Sequence, residues 1–81
     1  MDLLTITVRK RDGVVFAGQA KSFSSKNSVG VFDILPCHTS FVSVIRDKLS
    51  IINHENKKTE ILITRGVVRV KANAVDVFLG I

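Results

Sequence analysis

The sequence contains no tryptophan and no tyrosine, one proline, one cysteine and two histidines in 81 residues. A single cysteine excludes an internal disulfide and a zinc site built on thiolates, and it fits a reducing compartment. A single proline, beside 46% hydrophobic residues, argues against disorder. Without tryptophan or tyrosine, no basic stretch interleaves with aromatic rings for base stacking. The five phenylalanines lie in apolar runs, where core is the expected role. The few glycines form no GxGxxG or GxxxxGK[ST], so no glycine-loop phosphate cradle is expected. No window reaches the ~20 apolar residues of a membrane-spanning helix. The start, "MDLLTITVRKRDG", has an acid at position 2 and too short an apolar stretch for a secretory signal. The expectation is a soluble single domain, residues 1–81, that meets a membrane only through a partner.

What is present is positive charge and alternation. The net charge is +5, with clusters at Arg9-Lys10-Arg11, at Lys57-Lys58 and along Arg65, Arg69 and Lys71. Solvated strand ends and lysine-protected sheet edges account for such a pattern. A patch for nucleic acid or an acidic surface is the competing reading.

The apolar period is two almost throughout. "LTITV" puts Leu4, Ile6 and Val8 on one face and both threonines on the other, a half-buried strand. Asp12-Gly13 signals a turn. "VVFAGQAKSFSS" reads as a second strand with Gly18 a bulge or close-approach point, and "SSKNSVG" as a polar loop. "VFDIL" is a strand ended by Pro36. "SFVSVI", "LSIINH", "TEILIT", "VVRVKA" and "VDVFLGI" follow as strands, with turns at Asp47-Lys48 and "ENKK", a break at Gly66, and a last turn at Asn73-Ala74. This spacing predicts an all-β fold, a small two-sheet β-sandwich of about eight to ten short strands.

Chemistry is sparse. Cys37 and His38 are adjacent, but neighbours in extended chain point to opposite faces, and no expected helix N-terminus lowers the thiol pKa. A nucleophile needs a base within reach and a group that orients it. His38, His54 and Asp33 match no zinc spacing, and the carboxylates lie in separate elements. The residues predict no catalytic site, no metal and no cofactor.

The stretch Gly30–Ile45 carries a resemblance. Gly30, Phe32, Ile34, Leu35, Pro36, His38 and Phe41 fit, in order and without a gap, a G-E-F/L-G-I-L-P-G-H-A-P-L/F pattern. It is the pattern of the N-terminal β-sandwich domain of the ε subunit of F-type ATP synthases (δ in mitochondria). Val15, Phe16 and Gly18 resemble that family's V-F-x-G strand. Gly66, Val68, Val70, Asn73, Val75, Val77 and Leu79 resemble its closing segment, so the likeness runs over residues 3–80. Departures are Cys37 and Asp33 where the family has glycine, Arg65 for the first glycine of a pair, and Val31 for a common acidic residue.

The resemblance implies a non-catalytic central-stalk subunit that clamps the γ subunit to the c-ring, so that proton- or sodium-driven rotation is coupled to ATP synthesis. It implies a c-ring contact at Lys26, Asn27, Ser28, Val29, Gly30, Val31, Phe32 and Asp33, and a γ contact at His38, Phe41 and Ser43. It places the protein peripherally on the cytoplasmic face of a bacterial membrane, or the equivalent organelle face. The family continues into two C-terminal helices that can inhibit hydrolysis; a chain complete at the last strand implies coupling without that inhibition, whereas a truncated one leaves the helices open. The alternative is a stand-alone basic β-barrel that binds nucleic acid.

Overall fold

The computed structural model describes residues 2–37 and 40–80. They form seven strands: β1 (Leu4–Lys10), β2 (Gly13–Ala20), β3 (Ser22–Lys26), β4 (Val31–Ile34), β5 (Phe41–Ile52), β6 (Lys58–Lys71) and β7 (Ala74–Leu79). Their order is β2-β1-β7-β6-β5-β3-β4. All neighbours are antiparallel except β1 and β7, which run parallel from Thr5↔Ala74 to Arg9↔Phe78.

One continuous sheet makes a sandwich because its two longest strands bend. A straight strand of 14 residues would run about 46 Å, yet the molecule is 33 Å in its longest dimension. The bend falls where the β5–β6 register shifts between Arg46 and Asp47, with Asp47 at φ 75°. Before the bend, β5 joins the C-terminal half of β6, β7, β1 and β2; beyond it, Leu49–Ile52 pair with β3, which pairs with β4.

The inward faces meet in one core. Leu4, Ile6, Val8, Phe23, Ile45, Leu49, Val68, Val75 and Val77 are all fully buried. Each such burial contributes ~1.5–3 kcal/mol. The alternation read in β1 and β7 is therefore the alternation observed. Buried Ser25 donates its hydroxyl to the Lys48 carbonyl at 2.8 Å, which satisfies the polar atom that period two turns inward.

The all-β sandwich is as expected, with fewer and longer strands. Asp47-Lys48 lies inside β5 rather than in a turn: both pair with β6, and they bulge out opposite β3, where Ser25 faces Leu49 and Lys26 faces Arg46. Gly66 does not break β6: a Cβ there would lie 2.8 Å from the Phe78 carbonyl oxygen, so glycine admits the β7 backbone. Ser22–Lys26, assigned partly to a loop, is a strand paired on both sides. The β1–β2 bulge leaves Val15 unpaired, whereas Gly18 gives room to the Phe16 ring.

Candidate partner-binding surfaces

The expected c-ring segment is the β3–β4 hairpin, and its tip is tightly built. The Asn27 amide N–H donates to the Gly30 carbonyl at 3.0 Å. Asn27 Oδ1 accepts from the N–H groups of Val29 (2.9 Å) and Gly30 (3.2 Å), an Asx turn that spends the loop's donors internally. Gly30 sits at φ 146°, which glycine tolerates without strain. The outcome is a protruding tip with Val29 94% and Val31 78% exposed. The charged groups around it have partners: Lys26 Nζ is 3.1 Å from an Asp47 carboxylate oxygen, and Ser24 Oγ donates to Asp33. From Asn27 to Val31 the tip presents apolar and amide groups with no formal charge.

The second expected set lies on β5. Phe41 and Ser43 are half-buried and point inward. His38 lies outside the described residues. Phe41 packs its ring on Phe32 at 5.2 Å between centroids and 57° between planes, a tilted pair of the kind aromatic quadrupoles favour. The Ser43 hydroxyl donates to the Val44 carbonyl and accepts from Asn27 Nδ2, each at 3.2 Å. The two sets are thus brought together, Phe32 against Phe41 and Asn27 against Ser43.

The side chains β5 turns outward were not singled out from sequence. Val42 is 67% exposed, and Val44 begins a row across five strands. Val44 faces Val67, Val67 faces Phe78, Phe78 faces Arg9 and Arg9 faces Val14. The Arg9 guanidinium lies over the Phe78 ring at 5.7 Å. Arg9 and Arg69 share the Asp76 carboxylate at 4.0 and 3.5 Å. Alternation alone shows that these residues leave the core; only the strand register shows that they adjoin.

Cys37 is exposed in a turn at φ 68°. Its N–H donates to Asn73 Oδ1 at 2.6 Å and its Sγ to Asp2 Oδ2 at 3.2 Å. That hydrogen bond, and then the repulsion between the Asp2 carboxylate and a thiolate, push the thiol pKa above its ordinary 9.0. The shift runs opposite to nucleophile activation. Among the described residues no three His, Cys, Asp or Glu side chains gather to hold a metal, and no helix is long and apolar enough to cross a membrane.

Comparison with known proteins agrees with this architecture. The family model described as ATP synthase, Delta/Epsilon chain, beta-sandwich domain matches residues 3–79. The ATP synthase epsilon chain of Wolinella succinogenes is 32% identical over 78 residues, 95% of this chain and 60% of that one. The epsilon chain of a Nitratiruptor species is 32% identical over 74 residues, 90% and 57% of the two chains. The chain therefore spans about three fifths of the curated relatives it matches. A chain in the Euglena gracilis mitochondrial ATP synthase structure (OSCP/F1/c-ring) superposes with TM-score 0.88 at 18% identity, covering 95% of this chain and 50% of that one. One in the Tetrahymena thermophila mitochondrial ATP synthase central stalk and c-ring superposes with TM-score 0.77 at 18% identity, covering 94% and 62%.

Proposed function

The chain belongs to the delta/epsilon family of ATP synthase, and from that premise we propose that it is a non-catalytic rotor subunit, linking γ to the c-ring in the central stalk of an F-type enzyme. The observation that carries the reading is the match of the whole sandwich to chains named ATP synthase epsilon chain. A coupling subunit needs stiffness and two contact surfaces rather than reactive groups. The β5–β6 ribbon supplies the stiffness, because it runs through both layers and shares one packed core.

The β3–β4 tip, Lys26 to Asp33, would meet the polar loops of the c-ring. Val31 stands where the family commonly has an acid, so this contact would rest on shape and amide hydrogen bonds rather than on an ion pair. The γ subunit would meet the β5 side, at His38, Phe41 and Ser43, with outward Val42 and Val44 adding apolar area beside them. The protein would sit peripherally at the membrane through the complex, on the cytoplasmic face in a bacterium.

Nucleic-acid binding is the weaker reading. Arg9, Arg69, Lys26, Lys48 and Lys58, five of the twelve cationic side chains, are already paired with carboxylates. Co-purification of the tagged chain with γ and c subunits, lost with Val29→Asp or Val42→Asp, is the expected result. A γ–c assembly that forms and couples equally well without this chain would sink the proposal.

A further inference from the structure

Arg46 on β5 and Arg65 on β6 are register partners across the antiparallel ladder. Like charges facing each other in a sheet repel. Neither guanidinium has a carboxylate within ion-pair distance among the described residues. The nearest acid in sequence, Asp47, is engaged by Lys26 at 3.1 Å. The larger cavity on the other layer is different: each of its Lys26, Lys48 and Lys58 is within ion-pair distance of a carboxylate, that of Asp47 or the shared Glu60.

The two arginines line a groove of about 570 Å³ with Ser28, Ser43, Val44 and Thr64. The register explains how Thr64 comes to be there. Arg46 faces Arg65 and Asp47 faces Ile63, so Thr64 is the extra residue of a β-bulge. Strict alternation would put Thr64 on the face opposite Arg65; both are exposed and both line the groove. Bulges re-aim side chains in this way. Ser28 enters from the hairpin tip, which Asn27 holds against Ser43. The Ser28 and Thr64 hydroxyls make no hydrogen bond among the described residues, whereas that of Ser43 already donates its proton to the Val44 carbonyl.

We propose that this groove binds a tetrahedral oxyanion, a phosphate or phosphate ester, held between the Arg46 and Arg65 guanidiniums with Ser28 and Thr64 as hydroxyl donors. A carboxylate offers two oxygens, which one guanidinium fork satisfies. Two forks and two hydroxyls converging from three segments fit an anion with acceptors on several sides. The bound anion also removes the repulsion across the ladder. The site does not rest on the rotor reading and needs neither γ nor the c-ring.

The test is a titration of the isotope-labelled chain with inorganic phosphate, ionic strength held constant with sodium chloride. Saturable amide shifts at Ser28, Arg46, Thr64 and Arg65 are expected, with pyrophosphate binding more tightly. Arg46→Ala and Arg65→Ala should each weaken binding about tenfold, while Arg11→Ala leaves it unchanged. Removing either charge relieves repulsion, so both variants should melt no lower than the parent. Flotation with phosphatidylglycerol–phosphatidylcholine vesicles separates the sources. Vesicle binding lost in the double variant assigns a lipid phosphodiester; phosphate binding without vesicle binding assigns a soluble ester. Shifts that chloride reproduces, that spread equally to Lys10, Arg11 and Lys57, or that persist in both variants overturn the proposal.

Discussion

Asn27 Nδ2 donates to Ser43 Oγ at 3.2 Å, joining the tip of the β3–β4 hairpin to a strand of the other layer. The same residue closes the tip through its Oδ1, so one side chain shapes the loop and fixes its position. Asn27→Ala should therefore destabilise the fold by about 1–2 kcal/mol. Amide exchange should quicken in residues 27–31 more than in β1 or β7. Uniform quickening across all strands would show that the tip is not held this way.

Gly66 makes a second prediction, with space rather than conformation at issue. An added Cβ would meet the Phe78 carbonyl oxygen at 2.8 Å and Leu79 Cδ2 at 2.9 Å. Gly66→Ala should cost ~1–3 kcal/mol by overpacking. The denaturant midpoint should fall with little change in slope, since the folded state remains compact. An unchanged midpoint would mean that β7 shifts away freely.

Cys37 holds the left-handed conformation in which a side chain costs ~1–2 kcal/mol. Glycine removes that strain while adding freedom to the unfolded chain. Cys37→Gly should raise stability by ~0.5–1 kcal/mol in urea unfolding. The thiol should also alkylate faster in Asp2→Ala at pH 8, because the hydrogen bond and the charge that favour its protonated form are both removed.

Glu60 titrates below its ordinary 4.5 because Lys58 and Lys48 hydrogen-bond its carboxylate and add their charge. The native state thus holds fewer protons there than the unfolded chain does, and stability rises with pH across this window. The contribution is fully present above the ordinary value and is lost as pH falls through the lowered one. Melting temperatures of Glu60→Gln and the parent should differ most near neutrality and converge in acid. The difference should shrink in high salt, since all three partners are exposed.

These particulars show how far the sequence could be read. Leu4, Ile6 and Val8 were legible as core because period two is a local property. Asp47-Lys48 misleads because turn chemistry and bulge chemistry use the same residues. What separates them is the β6 partner, which only the fold supplies. Ser22–Lys26 carries little strand propensity and becomes a strand by pairing with β4 and β5. The proposed interface residues are legible only through a family pattern. The Arg46–Arg65 pairing was hidden, since it depends on the register on both sides of a one-residue bulge.

The parallel β1–β7 ladder bears on the order in which this chain can fold. β1 forms a local hairpin with β2 at once, yet its other edge finds a partner only after β7 has been made. Until β7 is made, the backbone groups along that edge of β1 stay open to pairing with another chain. Pairings this distant in sequence close slowly. The early strands of a small, strongly apolar domain are thus where chaperone dependence and aggregation during expression should concentrate.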